Sequence, residues 1–150
     1  MKEVILKTYN ITKKYGNQVA VNNVNMTIKK GEIYGFIGQN GAGKTTLIRL
    51  ITGLIHKTGG EIELLGATGE AELNKSRTMV GSLIETPSFY TNMTARENLE
   101  VSRLVRNIPG KKCIDEVLEL VGLKDVEKKK VKNFSLGMRQ RLGIANALMG

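Results

Sequence analysis

Several residue types are scarce in this chain, and each scarcity excludes a class of protein. The 150 residues include one cysteine, one histidine, two prolines and no tryptophan. A single cysteine, Cys113, cannot form an internal disulfide and cannot build a cysteine-rich metal site. Because it lies in a helical pattern beside apolar Ile114, we interpret it as an inert structural thiol.

Long apolar runs are also absent. The longest, such as Ile33 to Ile37, are strand-sized and broken by Gly35, whereas a membrane span needs roughly 18 apolar residues. Residues 4–6 are the apolar run near the N-terminus, which is short of the roughly 7 residues of a signal-peptide core. We therefore expect a cytoplasmic chain that does not cross a bilayer.

Acidic residues are outnumbered by basic ones. The 23 Lys and Arg against 14 Asp and Glu give a net charge of +9, which permits nucleic acid, acidic membrane surfaces or phosphate-bearing ligands as partners. The densest basic run, Lys124 to Lys132, also contains Asp125 and Glu127 and no aromatic residue. That composition favours a solvated surface over a nucleic-acid groove. The chain length predicts one domain with a single core.

Hydrophobic patterning predicts strands and helices in one chain. Strand-like patterns, two of them joined by a turn at Gly16-Asn17, occupy residues 4–11, 24–28, 33–37, 61–65 and 78–84. The run 33–37 is typical of a strand covered on both faces. Helix-like patterns use Leu47, Leu50, Ile51 and Leu54, then Ile114, Val117, Leu118 and Val121, and finally Met138, Leu142, Ala145 and Met149. A further helix is predicted to begin at Thr94, where Glu97 completes a capping box, and Gly122 can end the second pattern.

A glycine-rich segment carries the strongest chemical signal. Gly, four residues, then Gly-Lys-Thr is the pattern of a phosphate-binding loop, and it lies here between a predicted strand and a predicted helix. Glycines let backbone amides turn inward around phosphate oxygens, and the helix points its positive end at the same place. Lys44 supplies a charge for outer phosphates, and the Thr45 hydroxyl suits Mg²⁺. The predicted phosphate-binding residues are Gly38, Gln39, Asn40, Gly41, Ala42, Gly43, Lys44, Thr45 and Thr46.

With this loop in place, the chain from about Leu6 to its last residue resembles the ATP-binding subunits of ABC transporters. The resemblance implies ATP and Mg²⁺ as cofactors. The segment Thr12-Lys13-Lys14-Tyr15-Gly16 resembles the family's adenine-contacting segment, which implies that the Tyr15 ring stacks on the base. The alternative for Tyr15 is a hairpin tyrosine packed on its own sheet.

The stretch from Asn133 to Arg141 resembles the signature segment of the same family, usually Leu-Ser-Gly-Gly-Gln. Leu136 stands in place of the first glycine and Met138 in place of the glutamine, while Ser135 and Gly137 remain. A hydroxyl and an unhindered amide at a helix N-terminus can bind a phosphate. The resemblance implies that residues 135–138 contact nucleotide held by the opposite subunit. Without the upstream loop, Ser135 would be interpreted as an ordinary helix cap.

The segment Val80 to Glu85 departs from the family pattern at its last residue. The family normally has a glutamine there, which touches Mg²⁺ and couples to the membrane subunit. Glu85 still offers a hard oxygen ligand but carries a charge, and an exposed acid without function is the alternative. Glu85 together with Phe-Ser-Leu-Gly-Met resembles the bacitracin and lantibiotic exporter subfamily.

Two family elements have no counterpart in these 150 residues. One is the apolar strand ending in Asp-Glu, which holds Mg²⁺ and polarises the attacking water, and the other is a switch histidine. His56 follows the phosphate-loop helix too closely to be that switch. We therefore expect an N-terminal fragment that binds ATP without hydrolysing it, and an incomplete sheet that exposes apolar surface and unpaired edges.

The predicted fold is α/β, with an N-terminal antiparallel β layer, an incomplete parallel core of the phosphate-loop NTPase type and a helical segment. The divisions are about 1–93, 94–136 and 137–150. The resemblance implies an ATPase that powers export of a small molecule or antimicrobial peptide from the inner face of the cell membrane. Its partners would be a second ATPase subunit, identical or not, and an integral membrane permease.

Two alternative functions stay open at this point. A soluble ABC-type ATPase acting on nucleic acid or ribosomes would suit the basic charge, although no nucleic-acid partner is expected. A small-molecule kinase shares the phosphate loop, but such kinases usually begin almost directly with the loop strand. Here a β-rich stretch precedes the loop.

Overall fold

The chain folds as two compact units in the computed structural model, which describes residues 2–149. One unit extends to Val80 and the other begins at Gly81. Each has its own cluster of buried apolar side chains. The expectation of a single core is therefore wrong, because each contiguous part of the chain buries its own apolar side chains. The predicted divisions at 93 and 136 stay a prediction.

A three-stranded antiparallel sheet forms the first unit. Its strands are β1 (Val4–Tyr15), β2 (Gln18–Lys29) and β3 (Gly59–Leu64), in the order β2-β1-β3. The β1–β2 hairpin turns at Gly16-Asn17 as predicted, with Gly16 at a φ of 55°, a conformation that glycine adopts without strain. The predicted antiparallel β layer is thus present.

Two short helices accompany the sheet. Helix α1 (Lys44–Ile51) buries Leu47, Leu50 and Ile51 in the sheet's core. The prediction that Leu54 continues this face is wrong, since Leu54 is 64% exposed. Gly53, at a φ of 77°, follows the helix end and turns the chain away.

Helix α2 (Glu70–Arg77) was not predicted. It buries only Leu73 and Ser76, so its apolar periodicity is too weak to recognise. The signal that could have revealed it is electrostatic: Glu70 begins the helix and Arg77 ends it, as the helix dipole favours. The strand predicted at 78–84 is absent, because these residues form a turn and an irregular segment without ladder partners.

The strand predicted at Ile33–Ile37 is also absent. The segment is extended, yet no strand of residues 2–149 pairs with it, and Ile33 and Ile37 are fully exposed at 103% and 99%. Phe36 and Tyr34 instead border an open cavity of about 450 Å³, which is also lined by residues of β2 and by Leu47 of α1. A strand needs a hydrogen-bonded neighbour, and the described residues supply none here. The exposed apolar surface expected of an incomplete core is found at this place.

Three helices build the second unit: α3 (Ala95–Val105), α4 (Lys112–Leu120) and α5 (Leu136–Leu148). Two single-turn 3₁₀ segments, Lys124–Val126 and Val131–Asn133, join α4 to α5. The three predicted helices are confirmed, and so is the capping box between Thr94 and Glu97. The core consists of Ala95, Leu99, Ile114, Val117, Leu118, Leu123, Val131, Phe134, Leu142, Ala145 and Met149. Cys113 is a free thiol partly buried against this core, and its inertness stays a prediction.

Candidate functional site

The glycine loop passes directly into helix α1, and Gly43 is the joint between them. Gly43 has a φ of 86° and is the residue that precedes the helix. A Cβ atom at this position would lie 2.2 Å from the carbonyl oxygen of Ala20 in β2. Both the dihedral and the close approach require glycine. Gly41, at a φ of 87°, allows the preceding turn of the loop.

The side chain of Lys44 folds back over the loop. Its Nζ donates hydrogen bonds to the carbonyl oxygens of Gly38 at 2.6 Å and Gln39 at 2.7 Å. These contacts hold a positive charge beside the first glycine of the loop. A phosphate placed inside the loop would therefore meet both this ammonium and the backbone amides that surround it.

No side chain accepts hydrogen bonds from the backbone N–H groups in the first turn of α1. No side chain caps this helix, and no acidic residue lies in its first turn. Because the first N–H groups of an α-helix have no intrahelical partner, those at Gly43, Lys44, Thr45 and Thr46 are donors available to an anion. The Thr45 residue is exposed beside them. The local geometry thus fits a phosphate group, as the motif predicts.

Tyr15 is the last residue of β1, and its side chain is 51% exposed. The Nζ atom of Lys13 lies 4.8 Å from the centre of its ring, a cation–π distance. The ring is therefore half exposed at the sheet surface, beside a side chain of its own strand. Its stacking on adenine stays a prediction.

Residues 135–138 form the N-terminus of α5 in the second unit. The Ser135 hydroxyl accepts a hydrogen bond from the Met138 amide at 3.2 Å, so Ser135 caps its own helix. Leu136 is 62% exposed, and a Cβ atom at Gly137 would have no atom within 4 Å. Packing within this unit therefore does not explain the glycine. The contact of this segment with nucleotide stays a prediction.

The two predicted Mg²⁺ ligands fall in different units, Thr45 in the first and Glu85 in the second. Glu85 is exposed and has a φ of 63°, which is unusual for a residue with a side chain. Within residues 2–149, no group of three or more His, Cys, Asp or Glu side chains is arranged to hold a metal ion. The joint role of Thr45 and Glu85 toward Mg²⁺ stays a prediction.

Two tertiary contacts, one at each end of helix α1, were missed by the sequence reasoning. The Ala20 carbonyl dictates glycine at position 43, and Arg77 of α2 donates through Nε to the Ile51 carbonyl at the end of α1, at 3.2 Å. Arg77 itself is held by Asn74 at 2.8 Å and Glu70 at 3.4 Å. The Ala20–Gly43 approach and the Arg77–Ile51 hydrogen bond join residues more than 20 positions apart, so no local pattern could have indicated them.

Comparison with known proteins identifies close relatives. A family model described as ABC transporter matches residues 21–150. The bacitracin transport ATP-binding protein BcrA of Bacillus licheniformis is 51% identical over 97% of this chain and 47% of its own length. The lantibiotic transport ATP-binding protein SrtF of Streptococcus pyogenes is 43% identical over 97% of this chain and 62% of its own length. The chain thus spans about half to three fifths of the curated relatives it matches.

Solved structures give the same fold. The chain resembles cbiO1 of Clostridium perfringens with a TM-score of 0.83, over 99% of this chain and 62% of that one, at 24% identity. It resembles the ATP-binding cassette MJ0796, solved as a dimer in a post-hydrolysis state with ADP and Pi, with a TM-score of 0.81 at 29% identity. That match covers 97% of this chain and 69% of the other. Within residues 2–149, no helix is both long enough and apolar enough to span a membrane.

Proposed function

The chain belongs to the ABC transporter family of ATP-binding proteins, and on that basis we propose that it is part of a subunit that powers export by binding and hydrolysing ATP. The cargo would be a small molecule or an antimicrobial peptide of the bacitracin or lantibiotic type, as the names of BcrA and SrtF indicate for those relatives. The partners would be a second ATPase subunit and a membrane permease.

The observation that carries this proposal is the arrangement of Lys44 at the start of α1. The ammonium is held 2.6 Å from the Gly38 carbonyl, beside a helix N-terminus without a side-chain cap. Positive charge and free amides converge on one small region, which is the requirement for binding a polyphosphate. Gly38 to Thr46 would hold the phosphates and Tyr15 the base.

The remaining site residues complete the proposal. Thr45 and Glu85 would hold Mg²⁺ through oxygen atoms, the ligand type that this cation prefers. When bound, Mg²⁺ neutralises charge on the outer phosphates. Residues 135–138 would contact nucleotide held by a second subunit, and the open space at Gly137 supports such an approach. The subunit would then work at the inner face of the membrane through its permease.

These 150 residues alone would bind nucleotide without hydrolysing it. Phosphoryl transfer depends on a positioned and polarised water, and no carboxylate pair ends an apolar strand in this sequence. Asp115 and Glu116, the adjacent acidic pair, lie on the exposed face of α4. Phosphate release with Mg²⁺ and ATP should therefore stay at the buffer rate, and turnover that Lys44→Ala abolishes would contradict this part of the proposal.

Nucleotide binding is tested by titrating a fluorescent ATP analogue with Mg²⁺ into the chain and into Lys44→Ala. Losing a charge-assisted contact worth about 1.5–3 kcal/mol predicts a loss of affinity of about tenfold or more. Lys75→Ala removes an exposed lysine from α2 and should bind as the unchanged chain does. Equal affinities for Lys44→Ala and the unchanged chain would show that the loop is not the site.

A further inference from the structure

We propose that the second unit carries a surface that binds anionic lipid headgroups, formed by Lys128, Lys129, Lys130 and Lys132 together with Tyr90 and Met93. We call this set the lysine ridge. The proposal goes beyond the proposed function, which requires a permease but no direct contact with lipid.

The two segments of the ridge lie side by side. Thr94 and Lys130 form an antiparallel bridge, the Val131 amide donates to the Met93 carbonyl at 2.9 Å, and the Lys132 amide donates to the Thr91 carbonyl at 2.8 Å. Val131 is fully buried in the helical core, whereas the neighbouring lysines at 130 and 132 are exposed. The backbone pairing thus anchors the ridge and leaves its ammonium groups at the surface.

The aromatic side of the ridge is held equally firmly. The side chain of Asn98, itself 4% exposed, accepts from the Tyr90 amide at 2.8 Å and donates to the Tyr90 carbonyl at 3.1 Å. The Tyr90 side chain nevertheless remains 62% exposed, and Met93 is 36% exposed. The backbone is therefore held in place, while the Tyr90 ring and the Met93 side chain reach solvent in the segment that pairs with residues 130–132.

The ammonium groups of the ridge are not held by carboxylates in the described part of the chain. Within residues 2–149, none of its four lysines forms a salt bridge. The charge of Lys130 contributes to lowering the pKa of Glu97, which is lowered mainly by hydrogen bonds with Thr94. Two other acids of this unit, Glu127 and Asp115, both accept from Arg96 at 2.5 Å.

Two further charged groups border the ridge. Lys124 pairs with Glu119 at 2.8 Å. Asp125, in the 3₁₀ turn before the ridge, is exposed and forms no salt bridge among the described side chains. The local balance still favours an anionic partner.

The composition of the ridge points to lipid headgroups. Its cations are all lysines, which act as point charges toward a diffuse anionic surface, whereas arginine is preferred for planar, bidentate recognition. An exposed tyrosine and methionine beside them can enter the interface between headgroups and acyl chains. A nucleic-acid groove would be expected to interleave several aromatic rings with the charges, and the ridge has one.

The test measures co-sedimentation of the purified chain with vesicles of phosphatidylcholine alone and of phosphatidylcholine mixed with phosphatidylglycerol. We compare the chain with K128Q/K129Q/K132Q and with the control K2Q/K29Q/K75Q, which removes the same charge from exposed positions in the first unit. A third variant, Tyr90→Ser with Met93→Ser, removes the apolar pair. Circular dichroism verifies that each variant keeps its helix content.

We expect binding to the mixed vesicles only, weakened about tenfold or more in the ridge variant and little in the control, and abolished by high salt. Equal losses in ridge variant and control would show a general effect of net charge and overturn the proposal, as would equal binding to both vesicle types or no binding. Unchanged binding of the serine variant would overturn the role of Tyr90 and Met93. Lys44→Ala should bind vesicles normally, so failure of this proposal and failure of the nucleotide site are distinguishable.

Discussion

Two of the three α-helices of the second unit begin with a side-chain cap, whereas α4, which follows Lys111, and both helices of the first unit do not. In the second unit, Thr94 caps α3 through a complete capping box and Ser135 caps α5. In the first unit, α1 and α2 follow Gly43 and Gly69, and neither has a side-chain cap. A cap satisfies orphan amides and stabilises the helix, whereas a glycine leaves them available. The N-terminus of α1 therefore lacks the stabilisation of a side-chain cap at the place where a ligand would bind.

The cores of the two units also differ in how completely they close. The helical core buries Leu99, Leu118 and Leu142 fully, whereas the first unit leaves Ile33 and Ile37 in solvent. Each helix forms its backbone hydrogen bonds internally. Three helices that follow one another along the chain can therefore enclose a core without a partner from a distant part of the sequence. An extended segment needs a partner strand, and the described residues supply none to 33–37.

The largest expected effect tests this difference in closure. Leu118→Ala should lower the free energy of unfolding by about 2–5 kcal/mol, because it leaves a cavity in a closed core. Ile37→Ala should change it by less than about 0.5 kcal/mol, since that side chain is already in water. Urea denaturation followed by circular dichroism measures both. A cost for Ile37→Ala similar to that of Leu118→Ala would mean that segment 33–37 is packed in solution.

The next effect compares two glycines. Gly43→Ala should destabilise the chain by about 1–3 kcal/mol, because its Cβ would lie 2.2 Å from the Ala20 carbonyl oxygen at an unfavourable φ. Gly137→Ala is the matched control: it lies in α5 with open space around it and should be neutral or stabilising by up to about 1 kcal/mol. Thermal unfolding measures both. Equal stabilities of the two variants would contradict the geometry of the loop.

A smaller effect concerns the caps. Thr94→Ala should cost about 0.5–2 kcal/mol, because the Glu97 amide loses its acceptor at the start of α3. Thr91→Ala, an exposed threonine of the preceding loop, should remain within about 0.5 kcal/mol of the unchanged chain. Chemical denaturation compares the two. If both cost the same, the capping box does not stabilise this unit.

The smallest expected effect is a pH dependence in the same box. The pKa of Glu97 is lowered from 4.5, mainly because its carboxylate accepts a hydrogen bond from the Thr94 amide. Its contribution is therefore present above the ordinary carboxyl pKa and is lost as pH falls through the lowered value. The stability advantage of the unchanged chain over Glu97→Gln should shrink on acidification. Denaturation at a series of pH values measures it, and an advantage that is constant down to pH 3 would exclude titration of Glu97 as a cause.

Features encoded by neighbouring residues were predictable from the sequence. The β1–β2 turn, the capping box at Thr94, the three helices of the second unit and the loop-to-helix passage at Gly43 are all found. Each depends on residues only a few positions apart, whose hydrogen bonds and dihedral preferences are local. The family assignment rested on such local motifs and is confirmed.

Features that depend on distant partners were predicted less well. The sequence pattern did not predict helix α2, because its stability comes from burying Leu73 and from the contact of Arg77 with Ile51. The strands predicted at 33–37 and 78–84 have suitable composition, but composition cannot supply the neighbour that a strand requires.

The sequence by itself therefore determined the chemistry of this protein: the phosphate-binding motif, the helix caps, the hairpin turn and the family. Only the tertiary structure decided that two cores form, that the Ala20 carbonyl restricts position 43 to glycine, and that the segment from Thr91 to Thr94 pairs with the segment from Lys130 to Lys132. The physical reason is distance along the chain. Caps and loops are closed by adjacent residues, whereas packing and strand pairing require groups that only the folded chain brings together.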